Sequence, residues 1–247
     1  MNQQVSDKLS EFNSITLQEM DGVKLMDRTD TKFTFNIKEL PIVLNEAKNH
    51  YRILEIEGNR ISRYKTLYFD TQNFALYNQH HCGKLNRYKI RHRTYVESNI
   101  GFLEVKFKNN KGRTLKTRIK ELEVPQLDTG KAFEFLKKML PFDPLILTPK
   151  IWINYSRITL VNKTSAERLT LDLTLEFERV GKTEVLDQLV IAEVKQDSKI
   201  ASPFITIMRN KHIQEGSISK YCFGVASTYA EVKKNNFKRK LLNVKKI

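Results

Sequence analysis

"RYKIRHRTY", residues 87–95, carries Arg87, Lys89, Arg91 and Arg93 on every second position, with Tyr88, Ile90, His92 and Thr94 between them. A strand sends alternate side chains to opposite faces, so this stretch predicts a strand with four cations on one face. Like charges that close repel one another. The fold therefore turns on what this face meets: bulk water, or an anion enclosed by a curled sheet.

Working outward, the runs 27–35, 63–70, 84–96, 101–108, 113–124, 149–161, 167–180 and 184–196 all read as strands. "NNKG" (109–112) and Gly181-Lys182 mark turns. Residues 5–20, 38–49, 129–140, 203–213 and 219–234 read as helices. Long strands joined by short turns, with helices at the ends and in the middle, predict an α+β fold. Its sheet is mainly antiparallel, either open or closed into a barrel.

Parity sorts the charges. Arg28, Asp30 and Lys32 share a face of the first strand. Glu104, Lys106 and Lys108 share one, against Leu103, Val105 and Phe107. Lys116, Arg118 and Lys120 share the next. Arg168, Asp172, Glu176 and Glu178 are read as one face, against Leu169, Leu171, Leu173, Leu175 and Phe177. Glu193 and Lys195 close the series. The bland reading is a half-buried sheet with its polar face in water. Against it stands the single sign of the charges on 87–93 and 113–120, because a solvated sheet pairs opposite charges across strands. A sheet curled with this face inward makes a cationic channel with one acidic wall. Such an interior needs a polyanion, ordered water or a metal to offset it. Arg suits phosphate through its planar fork, and carboxylates offer hard oxygen ligands to Mg2+ or Mn2+.

The bulk numbers agree with an anionic partner. The 247 residues carry a formal charge of +15. Seven positive charges lie in the tail, residues 233–247, which leaves +8 on the body. Charge alone does not choose among nucleic acid, membrane and small polyanions. Aromatic residues do not interleave the basic strands as a nucleic-acid stacking platform requires. Cys82 and Cys222 have no metal-type spacing and read as reduced thiols. The N-terminus has no apolar core of a signal peptide, and no run is long enough to span a bilayer. The expected location is the cytoplasm, with docking at the inner membrane face or on a membrane protein left open.

"FLEVKFK" (102–108), followed by a Lys/Arg strand, resembles the E-x-K signature of the triphosphate tunnel metalloenzymes, also called the CYTH superfamily. More closely, the chain resembles the VTC domain, the polyphosphate polymerase domain of the vacuolar transporter chaperone complex. The resemblance runs over about residues 20–230 and includes "DRTDTKFTF", "RYKIRHRTY", "YSRITL", "LDLTLEF", "IAEVKQ" and "SISKYCFG". It is closer to compact bacterial members than to large eukaryotic subunits. It implies an antiparallel β-barrel tunnel with flanking helices over residues 1–232, ahead of the basic tail.

The implied activity is transfer of the γ-phosphate of ATP to a growing polyphosphate chain, with Mn2+ or Mg2+. Lys32, Arg91, Arg93, Lys106 and Lys220 take the catalytic positions. Arg28, Arg87, Lys89, Lys116, Arg118, Arg157, Lys195 and Ser219 join them as phosphate-binding residues. Glu193 is the implied metal ligand, with Glu104 as a second. The superfamily's hydrolases have a richer E-x-E-x-K pattern on the first strand, where this chain reads D-R-T-D-T-K, though Asp27 or Asp30 could contribute. A hydrolase of the same fold and a non-catalytic polyanion binder are the alternatives. His80, His81 and Cys82 lack a second ligand pair and read as a polar turn rather than a metal site. Trp152 reads as core, and the tail as a solvated, frayed end.

Overall fold

A computed structural model describes residues 3–21, 28–197, 201–216 and 218–247. Asp27 lies outside the described residues, and so does the side chain of Arg28. In chain order the elements are α1 (Gln3–Ser10), β1 (Ser14–Ile15), α2 (Leu17–Asp21), β2 (Arg28–Asn36), α3 (Leu40–Ala47), β3 (Tyr51–Leu54) and β4 (Ser62–Thr71). Then follow α4 (Ala75–His81), β5 (Arg87–Tyr95), β6 (Ile100–Lys108), β7 (Thr114–Lys120), α5 (Gly130–Met139), β8 (Leu147–Asn162) and β9 (Glu167–Arg179). Last come β10 (Lys182–Leu186), β11 (Leu189–Asp197), α6 (Pro203–Asn210), α7 (Lys220–Thr228) and α8 (Lys238–Lys245).

The main sheet runs β2-β11-β9-β8-β4-β5-β6-β7, with every neighbour antiparallel. Among the described residues β2 and β7 do not pair, so the sheet curls without closing. The curl is seen electrostatically: Lys106 on β6 feels Lys32 on β2 and Glu193 on β11, from the far end of the strand order. The convex side is apolar. Phe33, Phe35, Leu169, Leu171, Leu173, Val190 and Val194 pack there against α1, α3 and α6. Beside them Ile90, Leu103 and Val105 pack against α5. Burying these rows is what commits the alternate residues to the concave side.

One end of the concave side is filled by α7. Tyr221, Cys222, Phe223, Val225 and Ala226 pack on Ile151, Ile153, Tyr155, Leu175 and Phe177. The helix comes this close because Gly224 has no side chain: a Cβ there would lie 2.5 Å from the Phe177 ring. Ser219 caps the helix, its hydroxyl accepting from the Cys222 backbone N–H at 3.3 Å.

Several expectations are corrected. Residues 5–20 are not one helix, because the chain straightens at Ser14 and Ile15 to pair with β3. The run 184–196 is two strands, β10 and β11. The second end helix stops at Thr228. The tail is not frayed throughout: α8 packs back, and Val244 is buried in the α7 cluster. Glu176 and Glu178 do not share a face with Asp172. Thr174 takes a left-handed φ of 49°, and β9 carries an extra residue opposite Asn154–Ser156. This bulge reverses parity, so Leu175 and Phe177 turn to the concave side under α7. The acidic wall is correspondingly smaller. Among the described residues no helix is long and apolar enough to cross a membrane.

Candidate functional site

Three carboxylates of the concave face are each held between two cations, and a fourth, Asp30 of β2, stands opposite Lys195 in register. Glu104 on β6 accepts from Arg91 Nε at 2.7 Å and pairs with Lys116 of β7. Asp172 on β9 takes Arg157 of β8 in a bidentate pair, 2.5 Å to Nε and 2.8 Å to Nη2, and also pairs with Lys220 at the start of α7. Glu193 on β11 pairs with Lys32 of β2 at 2.9 Å and with Lys195 of its own strand. Register explains the sets: Arg91 lies directly opposite Glu104, Arg157 opposite Asp172, and Lys32 opposite Glu193.

The remaining cations line the same face. Lys89 donates to the Ser219 hydroxyl at 2.8 Å, which ties β5 to the α7 cap. Arg93 donates to Thr66 Oγ1 at 3.3 Å and lies over Tyr64 and Tyr155. Arg87 reaches back to the Lys84 carbonyl at 2.9 Å, at the end of the strand. Lys106 stands opposite Lys89 and Lys116. Arg118 lies opposite Glu104 in register but stacks on Phe102, its guanidinium 4.2 Å from the ring centre. Cations outnumber carboxylates among these residues, so the face has an unbalanced positive potential.

The environment records that imbalance. Burial works to raise the Glu104 carboxyl, but Arg91, Arg93 and Lys116 outweigh it and hold it at about 2. Asp172 and Glu193 are likewise held well below the usual carboxylate range by their paired cations, against burial. Lys106 is pulled down to about 8 by burial and then by Lys89, Arg91 and Lys32. Lys116 and Lys195 also fall to about 8 through burial, although Glu104 and Glu193 pull the other way. Burial is the largest cause for all three lysines, and at Lys106 the cations Lys89, Arg91 and Lys32 add to it.

The family assignment follows from the sequence match. Residues 27–229 match the model of the VTC domain. The chain belongs to the VTC-domain family. No curated protein matches the sequence. In fold this VTC domain is similar to a candidate adenylate cyclase from Bacillus halodurans, with TM-score 0.53 and 14% identity, covering 83% of this chain and 100% of the other. It is also similar to a candidate adenylyl cyclase from Hippeastrum, described as having a dominant triphosphatase activity, with TM-score 0.51 and 13% identity, covering 83% and 98%.

Of the residues expected to form the site, the VTC domain gathers Lys32, Lys89, Arg91, Arg93, Lys106, Lys116, Arg157, Lys195, Ser219 and Lys220 on one concave surface. Arg87 lies at its edge, and Arg118 is turned onto Phe102. Tyr64, Thr66, Tyr68 and Tyr155 were missed. Tyr68 accepts from Arg91 Nη1 at 2.9 Å and stacks on Tyr221. Burial raises the Tyr68 phenol, but Arg91, Arg93 and Lys89 outweigh it and bring it to about 8. The signal was present in the alternation of Tyr64, Thr66 and Tyr68 on β4, which carries no charge at those positions.

The implied divalent ion fits one of the two expected carboxylates. Glu193 is 19% exposed, and among the described residues its two oxygens pair with the single-point cations Lys32 and Lys195 rather than with a guanidinium. Glu104 is 1% exposed, and a rigid guanidinium occupies one oxygen. Among the described residues no three His, Cys, Asp or Glu side chains gather to hold a metal, the His80–Cys82 turn included. An ion at Glu193 would therefore take its other ligands from phosphate and water, the usual habit of Mg2+.

Proposed function

We propose that the concave face is a phosphate channel in which the γ-phosphoryl group of a nucleoside triphosphate passes to the end of a polyphosphate chain. The observation that carries this reading is the convergence of cations from β2, β5, β6, β7, β8, β11 and α7 on one surface with too few carboxylates to neutralise them. A linear polyphosphate supplies the missing negative charge at regular intervals. Membership of the VTC-domain family supports the same chemistry.

In this reading Arg91, Arg93, Lys32, Lys106 and Lys220 touch the reacting phosphates. Arg87, Lys89, Arg157, Lys195 and Ser219 hold the flanking ones, and Lys116 backs Lys106. An oxygen of the acceptor's terminal phosphate attacks the γ-phosphorus. The bond to the β,γ-bridging oxygen breaks, and the nucleoside diphosphate leaves. The protein's task is positioning and charge compensation, since the transferred group is already electrophilic. A Mn2+ or Mg2+ ion held by Glu193 and phosphate oxygens would offset charge on the transferring group. Glu104 acts through Arg91 and Lys116, keeping both aimed into the channel, and Asp172 does the same for Arg157 and Lys220.

Incubation of the purified protein with ATP and Mn2+, resolved for long chains on a gel, tests the reading. Chains together with nucleoside diphosphate support it. Free phosphate without chains selects a triphosphate hydrolase of the same fold, the second reading, which the description of the Hippeastrum neighbour favours. Binding of triphosphate without turnover selects a polyanion-binding module.

A further inference from the structure

The two ends of the proposed channel differ in chemistry. At one end, Arg87, Lys89 and Lys108 face inward on β5 and β6. The aromatic residues of those turns, Tyr88 and Phe107, point to the other side, where they stack at 4.6 Å. Burial, then Lys89, Arg87, Lys240 and Lys108, hold the neighbouring His80 down to about 3, so α8 brings a further cation close. At the opposite end the same face carries rings. Tyr64 lies between Tyr95, at 5.0 Å, and Tyr155, at 5.1 Å in a parallel stack. Tyr95 meets Phe102 edge-on at 6.0 Å. Tyr64, Tyr95 and Phe102 are half-buried rather than core.

We propose that Tyr64, Tyr95 and Phe102, with Arg118, form a nucleobase platform, so that a nucleoside triphosphate enters base-last with its phosphates running inward along Arg93 and Arg91. The proposal rests on the triphosphate reading above and adds the nucleoside site and the direction. Three observations carry it. Arg118 leaves Glu104 to Arg91 and Lys116 and lies over the Phe102 ring, which makes a ring-and-guanidinium surface of the kind bases stack on. Arg93, the next cation inward, already lies over Tyr64, so the platform and the phosphate track are continuous. Phe102 and Lys106 are separated by four residues of strand, about 13 Å, which suits a base at one and terminal phosphates at the other.

The platform is also fixed in place. Glu121 donates its N–H to the Gly101 carbonyl at 3.0 Å, and a Cβ on Gly101 would lie 2.1 Å from the Glu121 carbonyl oxygen. Chain leaving β7 thus locks against the strand beside Phe102. The acceptor chain then lies at the Arg87 and Lys108 end. Stacking tolerates any base, so adenine and guanine nucleotides bind alike.

Calorimetry of the full chain with inorganic tripolyphosphate and with unreactive β,γ-imido analogues of ATP and GTP tests this. Phe102→Leu and Tyr95→Leu are expected to weaken both nucleotide analogues about tenfold, with tripolyphosphate changed less than about twofold. Phe102→Trp, which keeps a stacking face, retains nucleotide affinity. Parallel losses for all three ligands, or no loss for any, overturn the platform. Binding of none of the three by the wild type overturns the triphosphate reading itself, and this inference with it.

Discussion

Glu193 and Asp172 sit in the same channel, each between two cations, yet they are different devices. Asp172 is 3% exposed and grips a guanidinium with both oxygens. Glu193 is 19% exposed and meets two lysines. Arg157 is in addition wedged over Tyr64 and Tyr155, at 5.0 and 5.3 Å. A rigid, dry, bidentate pair holds its shape. A more exposed carboxylate held by two flexible ammonium stems can open and turn to a ligand. Glu104, at 1% exposure and with Arg91 on one oxygen, belongs with Asp172. In the proposed mechanism the difference separates carboxylates that build the channel from the one that would share an ion with phosphate.

The largest effect is expected where a buried carboxylate grips a guanidinium with both oxygens. Asp172→Asn leaves Arg157 and Lys220 inside without their counter-charge, so stability falls by about 3–5 kcal/mol, read by urea unfolding. Saturating tripolyphosphate restores much of it, since phosphate replaces the missing charge. Equal stability of the variant would remove the distinction from Glu193.

Glu193→Gln breaks the other side of the comparison. Turnover is expected to fall roughly 100-fold or more, by analogy with loss of one preorganised electrostatic group. Triphosphate affinity stays or improves, because one negative charge has left a cationic surface. Steady-state kinetics with parallel calorimetry reads both.

pH sharpens the contrast between binding and folding. Lys106, Lys116 and Lys195 are depressed to about 8, so they lose charge as pH rises through that value. Triphosphate affinity is therefore expected to weaken between pH 7 and 9. Folding goes the other way: the unfolded chain binds more protons between about pH 8 and the ordinary lysine value, so these groups make stability rise with pH there. At the acid end Glu104, depressed to about 2, contributes stability that is present above the ordinary carboxylate value and lost as pH falls through it toward 2. Calorimetry and thermal unfolding across this range check both signs.

The smallest change tests how α7 delivers its residues. Ser219→Ala removes the cap and the partner of Lys89, and is expected to cost about 1 kcal/mol in stability. Triphosphate affinity should weaken only slightly, since Lys220 keeps Asp172.

Much of this was legible in the chain. The alternation in 87–95 held because β5 is regular from end to end, so all four cations face one way. The β9 reading failed at Thr174, where a β-branched residue adopts a left-handed φ of 49° without a glycine to announce it. Everything beyond that bulge, Glu176 and Glu178 included, was assigned to the wrong face. The tyrosines were not legible for another reason. Tyr155 and Tyr64 matter through Arg93 and Arg157, partners fixed by strand order rather than by spacing within one strand. Exposure, which separates Glu193 from Glu104 when both stand in an E-x-K pair, is a property of the curled sheet.

The central claim is that Glu193, and neither Glu104 nor Asp172, is the carboxylate that shares a divalent ion with phosphate. Mn2+ affinity measured by electron paramagnetic resonance, with an unreactive triphosphate bound, tests it in the wild type, Glu193→Gln and Glu104→Gln. The account predicts at least about tenfold weaker Mn2+ binding in Glu193→Gln, the scale of losing one charged ligand, and near wild-type binding in Glu104→Gln. Wild-type Mn2+ affinity in Glu193→Gln, with the loss appearing in Glu104→Gln instead, would contradict it.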